Sequence, residues 1–352
     1  MFYTEAVRPI LDAEFPGLSY SAALIGAGSE VLGYDTPMSM DHDWGPRLLL
    51  FLAPQNYATL AQPLTDTLSH KLPPTFHGHA VGTVANDNGT LRFEAGAGPL
   101  QHRVVPLTIS AFFQGYLNFD IDTPISPADW FTFPSQKLRT LTRGAIYHDG
   151  LGLKEILARF AYYPHDVWLY RLASGWHRIG QEEHLMGRAG YVGDELGSAV
   201  IASRLVRDLM NLCFLMERQY TPYPKWFGTA FNELSCAPDL TPHLLGAQQS
   251  ATWQEREKHL VAAYEYVAVM HNALSITEPL PTKVGLFFDR PFQVIHQIGG
   301  FAEALCQRIT DPEVQRIASH KLIGNIDQWS DSTDILEDTT WRDKLLAFYQ
   351  QP

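Results

Sequence analysis

The apolar positions of this chain change period near residue 126, and that change divides it. Before it, short apolar runs alternate with turn signals such as Lys71-Leu72-Pro73-Pro74 and Asn86-Asp87-Asn88-Gly89, a pattern that predicts strands and hairpins packed on a few helices. Leu48-Leu49-Leu50-Phe51-Leu52 predicts a strand buried on both faces. The small apolar stretch from Ser21 to Ala27 suits the end of a helix or a buried strand, and Phe112 to Leu117 reads as helix. From Ser126 the period becomes helical. Ser126-Pro127-Ala128-Asp129 looks like an N-cap followed by proline at the first helical position, a combination that pre-sets the first turn and offers its N–H groups an acceptor. Val200, Ile201, Leu205, Leu209, Leu212 and Leu215 recur at steps of three and four, which predicts a long helix from about Gly197 to Glu217. Leu260, Tyr264, Val267 and Met270-His271 repeat the pattern. The expectation is two domains, 1–125 and 126–352, the second a helical bundle that packs against the first. No internal repeat interrupts this, and the one linker-like stretch, Glu278-Pro279-Leu280-Pro281, is short.

Composition narrows the class. The chain has 352 residues, 45% hydrophobic and 18% charged, enough to bury full cores in about two domains. Its net charge is −12, with 26 basic residues against 38 acidic ones. With no Lys/Arg-rich block, general nucleic-acid binding is excluded as an expectation, and a small-molecule or protein partner is favoured. The start, Met1-Phe2-Tyr3-Thr4-Glu5-Ala6-Val7-Arg8, lacks the basic and apolar regions of a signal peptide, and no apolar run approaches a membrane span. The expected location is therefore the cytoplasm, with no membrane partner. Cys213, Cys236 and Cys306 are far apart and share no ligand spacing, so reduced, mostly buried thiols are expected.

The candidate chemistry lies near the start of the chain. Gly28-Ser29 would let backbone N–H groups approach a phosphate closely, with the Ser29 hydroxyl as a further donor. Eleven residues later comes Asp41-His42-Asp43. In an extended strand Asp41 and Asp43 share one face, and two ionised carboxylates side by side are easiest to hold with a divalent cation. Oxygen ligands favour Mg²⁺, whose remaining positions go to waters and substrate phosphates. The acids would sit where the Leu48–Leu52 strand begins, a rigid place for catalytic ligands.

A hydrophobic residue, Gly28-Ser29, and then Asp41-x-Asp43 entering a hydrophobic strand resembles the DNA polymerase β-type nucleotidyltransferase superfamily. The resemblance covers about the first third of the chain. It implies that Gly28 and Ser29 hold a triphosphate, with ATP the first candidate, and that Asp41 and Asp43 bind two Mg²⁺ ions that activate an acceptor hydroxyl. Members usually carry a third carboxylate on a later strand. His102-Arg103-Val104-Val105-Pro106-Leu107-Thr108 is the natural place and holds no acid. Glu94, Asp120 and Asp122 are the remaining candidates, or the third ligand is missing and the protein binds a nucleotide without turning it over.

A second resemblance is broader. Asp41-His42-Asp43-Trp44-Gly45-Pro46-Arg47, Tyr163-Pro164-His165-Asp166-Val167-Trp168, Gly193-Asp194-Glu195-Leu196-Gly197-Ser198 and Tyr223-Pro224-Lys225-Trp226-Phe227-Gly228-Thr229-Ala230-Phe231 look like a bacterial family catalogued as a domain of unknown function, DUF4037. That likeness implies an α+β chain: a nucleotidyltransferase-like N-terminal domain, with a mixed sheet flanked by helices, followed by an all-α bundle. It implies no substrate.

Several other residues read two ways. Lys225, in a stiff Pro/aromatic turn, either reaches a nucleotide phosphate or covers a Trp ring with its alkyl stem. Arg47 either contacts phosphate or pairs with a carboxylate, and the pairing is the favoured reading. Glu182-Glu183 offers a site for a cationic acceptor, against the plainer reading of a solvated pair, which also serves Asp194-Glu195 and Glu217. Among fourteen histidines, His77-x-His79 comes closest to a ligand pair and suits a loop better. No P-loop and no Gly-x-Ser-x-Gly elbow appears, and Gly26, Gly28 and Gly33 are wrongly spaced for a dinucleotide fingerprint.

Overall fold

The computed structural model describes residues 1–39, 45–85, 91–93 and 99–350. The described chain forms two compact units, Met1–Pro124 with Lys137–Ala161, and Ile125–Gln136 with Tyr162–Pro352. The chain passes between the two units three times, at 124/125, 136/137 and 161/162, where a single boundary at 125/126 is expected. Lys137–Ala161 returns to the first unit because it carries a strand that the first sheet needs.

In the first unit α1 (Arg8–Glu14) precedes β1 (Tyr20–Leu24), α2 (Ser29–Leu32), β2 (Arg47–Leu52) and α3 (Pro54–Lys71). Three short hairpin strands follow, β3 (Thr75–Phe76), β4 (His79–Ala80) and β5 (Thr83–Ala85), the last pairing with β6 (Leu91–Phe93). Next come β7 (Arg103–Leu107) and α4 (Ile109–Leu117). α5 (Pro127–Thr132) belongs to the second unit, and α6 (Ser135–Arg143) leads back to β8 (Ala145–Asp149) and α7 (Leu153–Ala158). The sheet order is β7-β2-β1-β8. β1 is antiparallel to both neighbours, whereas β2 and β7 run parallel in register Arg47↔Arg103 to Phe51↔Leu107.

β2 is buried on both faces, as its apolar run predicts. Leu48, Leu50 and Leu52 pack with Val7, Leu11, Leu64 and Leu68 in one core, while Phe51 meets the Phe112 ring edge-on at 5.6 Å on the other face. β1 resolves as a buried strand rather than a helix end. Its one polar residue apart from Tyr20, Ser21, is fully buried and satisfied: its hydroxyl donates to Asp149 at 2.9 Å and accepts from the Leu151 N–H at 3.0 Å. Burial pushes the Asp149 carboxyl up, but the N–H groups of Lys154 and Leu153 and the Ser21 hydroxyl outweigh it and hold it below the usual range.

The second unit is built on α8 (His165–Tyr191) and α9 (Glu195–Met216), a helical hairpin turned at Val192–Asp194. The Asp194 carboxylate caps α9 by accepting the Gly197 N–H at 2.8 Å. α10 (Phe227–Phe231), α11 (Ala237–Gln249) and α12 (Trp253–Ala273) follow, so both long helices expected from periodicity are present. The all-α expectation is corrected by a two-stranded hairpin, β9 (Gly285–Phe287) and β10 (Arg290–Val294). Its runs are too short to announce themselves, and Phe287, Phe292 and Val294 form a small core with Trp253. The remaining helices are α13 (His296–Gly299), α14 (Phe301–Cys306), α15 (Pro312–His320), α16 (Ile326–Trp329), α17 (Thr333–Glu337) and α18 (Arg342–Gln350). At the start of α5 the expected cap is a full capping box: Ser126 Oγ accepts the Asp129 N–H at 3.2 Å and Asp129 accepts the Ser126 N–H at 2.8 Å. Among the described residues, no helix is long and apolar enough to cross a membrane.

Inside this unit Trp176 stacks on Phe301 at 4.1 Å and donates its indole N–H to His271 Nδ1 at 3.3 Å. Burial holds His271 down to about 4, so the ring accepts as a neutral imidazole. The folded state then binds fewer protons than the unfolded one between pH 4 and 6.5, and stability is lost as pH falls through that window. The expected size is roughly 3 kcal/mol, since each tenfold change in proton affinity is worth about 1.4 kcal/mol. Urea unfolding at a series of pH values should show this loss in the parent chain and a flatter profile in His271→Gln.

Candidate functional site

The chain leaves β1 through Ile25-Gly26-Ala27-Gly28 and turns into the single-turn helix α2. Gly28 has φ 122° and ψ 139°, a conformation open in practice to glycine alone. A Cβ there would also collide with an Arg47 guanidinium nitrogen and lie 2.5 Å from a Glu30 carboxylate oxygen. The backbone conformation thus favours glycine at this position, and any side chain would also have to push the Arg47–Glu30 pair aside. α2 ends at Gly33, φ 72°, where the Tyr34 N–H closes back on the Ser29 carbonyl at 3.0 Å.

Arg47, the first residue of β2, holds this turn. Its Nε donates to Glu30 Oε1 at 2.6 Å and its Nη2 donates to the Ala27 carbonyl. The Arg47 and Glu30 side chains are only 12% and 23% exposed, so the guanidinium is committed to the turn. The favoured reading, pairing with a carboxylate, describes this contact. The pair is felt at β8: burial first, then the Glu30 carboxylate, push the Tyr147 hydroxyl up, with Arg47 opposing. Farther along, Arg139 of α6 donates to the Tyr34 hydroxyl at 2.7 Å, fixing a residue just after α2.

Beside the turn is a cavity of about 590 Å³ lined by Ser29, Glu30, Asp35, Thr36, Ser39 and Gly45, with Phe76, His77 and His79 on another wall. Asp41 and Asp43 lie outside the described residues, as does Glu94. Ser39 and Gly45 bracket the acidic segment in sequence, and both line this cavity. β1 and β2 are antiparallel, with Ala23 opposite Leu49. The turn that follows β1 and the chain that enters β2 therefore share one end of the sheet.

β7, the parallel neighbour of β2, presents Arg103, Val104, Val105, Pro106 and Leu107 and no carboxylate. Asp120 serves a local turn: its Oδ1 accepts the Asp122 N–H at 3.1 Å, and its carbonyl accepts the Thr123 hydroxyl at 2.7 Å. His77 and Gly78, φ 48° and 83°, form the two-residue turn between β3 and β4. The His77 ring bonds Glu5 at 2.9 Å, consistent with a loop position. Among the described residues no group of three His, Cys, Asp or Glu side chains could hold a metal ion.

The candidates of the second unit have partners within it. Lys225 lies with its ammonium Nζ 5.3 Å from the centre of the Trp226 ring. Glu183 is buried and accepts the N–H groups of Ile295, His296 and Gln297 at 2.7, 3.2 and 3.3 Å. Glu182 is buried and paired with Arg178 and Arg204, so this pair is not an open site for a cationic acceptor. Glu195 bonds Arg256 at 2.9 Å, and Glu217 accepts the Ser235 and Cys236 N–H groups at 2.7 and 2.9 Å. Cys213 and Cys236 are buried and free, and Cys306 is partly buried. A hydrogen bond with Cys236, then burial, push the Cys213 thiol up. Their separation along the chain hides that proximity from any spacing rule.

Residues 130–227 match the family model described as Domain of unknown function (DUF4037). The matched stretch runs from α5 through α8 and α9 to the Lys225 turn and does not include Gly28-Ser29 or Asp41-x-Asp43. No curated protein and no solved structure matches the chain. The likeness is thus to a family defined by its sequence and not by an activity.

Proposed function

We propose that the first unit binds a nucleoside triphosphate with Mg²⁺ and transfers its nucleoside monophosphate to a hydroxyl of a small-molecule, or protein, acceptor. The observation that carries this reading is the cavity lined by Ser29 together with Ser39 and Gly45, which flank Asp41–Asp43 in sequence. A phosphate-binding turn and an acidic pair are of use to one another only at one end of one sheet, and the antiparallel β1–β2 pairing supports that placement.

In this reading Gly28 and Ser29 cradle the phosphates through backbone N–H groups and the Ser29 hydroxyl. Arg47 and Glu30 keep the turn in its one productive shape. Asp41 and Asp43 would hold Mg²⁺, which supplies charge neutralisation on the triphosphate and lowers the pKa of the acceptor hydroxyl. The bond formed joins the acceptor oxygen to the α-phosphorus, the bond broken releases pyrophosphate, and the acceptor loses one proton.

A second reading is a nucleotide-binding protein that does not catalyse transfer. Its support is specific: β7, where a third carboxylate would be looked for, carries none.

Isothermal titration of the four nucleoside triphosphates, with and without Mg²⁺, is expected to show Mg²⁺-dependent binding that disappears in the Asp41→Asn/Asp43→Asn double variant. The fold should survive, because removing charge from an acidic pair relieves repulsion in the metal-free protein. Full Mg²⁺-dependent binding and transfer in the double variant would defeat the proposal. Pyrophosphate release separates the two readings, since the non-catalytic one predicts binding without it. Gly28→Ala leaves every functional group in place yet forces strain and displaces Arg47. It should lower stability by about 1–3 kcal/mol in urea titrations and abolish nucleotide binding. Parent-like binding by Gly28→Ala would show that the turn is not the phosphate site.

A further inference from the structure

The second unit contains a pocket of about 540 Å³ whose walls are cationic. His177, Arg178 and Gln181 come from α8, and Arg204, Arg207 and Asp208 from α9. Steps of three and four residues put each set on one helical face. The third wall is the stretch from Lys321 to Asp331, with Trp329 40% exposed.

The charges do not cancel. Four permanent cations, Arg178, Arg204, Arg207 and Lys321, face the carboxylates of Glu182, Asp208 and Asp331. A single oxygen, Glu182 Oε1, accepts from both Arg178 at 2.8 Å and Arg204 at 2.5 Å. Glu182 sits beneath the arginines, only 8% exposed. Arg207 pairs with Asp331, whose side chain is 74% exposed, and an ion pair of that kind is weak and readily exchanged. Asp208 is the least secure anion: burial pushes its carboxyl up to about 6, against the pull of Arg178 and Arg207. Arg204 and Arg207 remain 52% and 44% exposed. This concentration of cations stands in a chain of net charge −12, so it is a local feature and not part of a general basic surface.

We propose that this pocket binds the phosphate monoester of a small molecule, with Arg204, Arg207 and Lys321 on the phosphate and the esterified group against Trp329. Two guanidinium forks one helical turn apart suit a tetrahedral anion with several acceptor oxygens better than a single carboxylate. A dianion can take Arg207 from the exposed Asp331, whereas a monoanion gains little by the exchange. The walls and the volume fit a small molecule, and the acidic chain disfavours a polynucleotide. The site shares no residue with the Gly28-Ser29 turn, so its fate is separate from that of the nucleotide reading.

The test is calorimetric titration of the full chain with phenyl phosphate, which has neither a base nor a triphosphate, and with inorganic phosphate. Phenyl phosphate should bind with a submillimolar Kd, more tightly than inorganic phosphate. Arg204→Gln/Arg207→Gln should weaken it at least about tenfold with unchanged helical circular dichroism. Asp331→Asn, which removes a competitor at the exposed rim, should tighten it. Asp41→Asn/Asp43→Asn should bind like the parent chain. No binding at millimolar phenyl phosphate, or an unchanged affinity in the double arginine variant, would overturn the proposal. Equal affinity for inorganic phosphate would overturn the ester assignment, and binding of spermidine in place of phosphate would overturn the sign of the pocket.

Discussion

The first unit depends on the pairing of β1 between two antiparallel neighbours. Only five residues long, Tyr20–Leu24 touches β2 along one edge and β8 along the other. Because β2 runs against β1, the connection from Leu24 to Arg47 must leave and re-enter the sheet at the same end. That constraint brings Gly28-Ser29 and the approach to β2 together before any side chain contributes. Arg47 then adds what topology cannot: by bonding both Glu30 and the Ala27 carbonyl it selects one shape for the turn. The same strand also explains the second crossing of the chain, since β8 must come back to cover the β1 edge. Its anchor is the Ser21–Asp149 bond, and removing Asp149 would leave the fully buried Ser21 hydroxyl without its acceptor.

The second unit uses carboxylates in two distinct ways. Glu183, Asp194, Glu217 and Asp166 are spent on backbone N–H groups at the starts or bends of other segments. At Glu183 such bonds satisfy N–H groups that would otherwise be buried without a partner. Glu182, Asp208 and Asp331 instead face arginines, and there the cations are in excess and partly open to solvent. Adjacent residues, Glu182 and Glu183, therefore belong to opposite categories because a helix points them about 100° apart.

The parts of the structure legible in the sequence are those set by local period and local caps. The Leu48–Leu52 run, the Ser126-x-x-Asp129 cap and the stripes of α9 and α12 all rely on neighbours within a few residues, and each is present. What the sequence hides is set by partners far along the chain. β8 is Ala-Ile-Tyr-His-Asp, a mostly exposed edge strand without an apolar run, so nothing in its period announces that the first sheet needs it. Glu182 reads as a solvated acid in sequence because, besides its local partner Arg178, it is covered by Arg204 from the next helix. The Arg47 pairing is readable in kind but not in partner: a carboxylate is expected, while its identity as Glu30 emerges only from the fold. The hairpin β9–β10 escapes a period-based reading because strands of three and five residues are too short for a period to emerge.

In the proposed reading, binding and turnover would rest on different residues of the first unit, and their physical demands differ. Holding a triphosphate needs fixed N–H groups and neutralisation of charge. A turn constrained by a glycine-only conformation and an arginine clamp meets the first need without moving. Turnover adds a demand for stabilisation of the leaving and attacking oxygens in the transition state alone. A third carboxylate on β7 would be rigid and aimed from a strand, but the run Arg103–Leu107 offers none. Of the other candidates, Glu94 lies outside the described residues, and Asp120, in a loop with Asp122, is already engaged in its own turn. A loop carboxylate would contribute to catalysis only if ligand binding ordered it, so in the proposed reading the step from binding to transfer would carry the larger entropic cost.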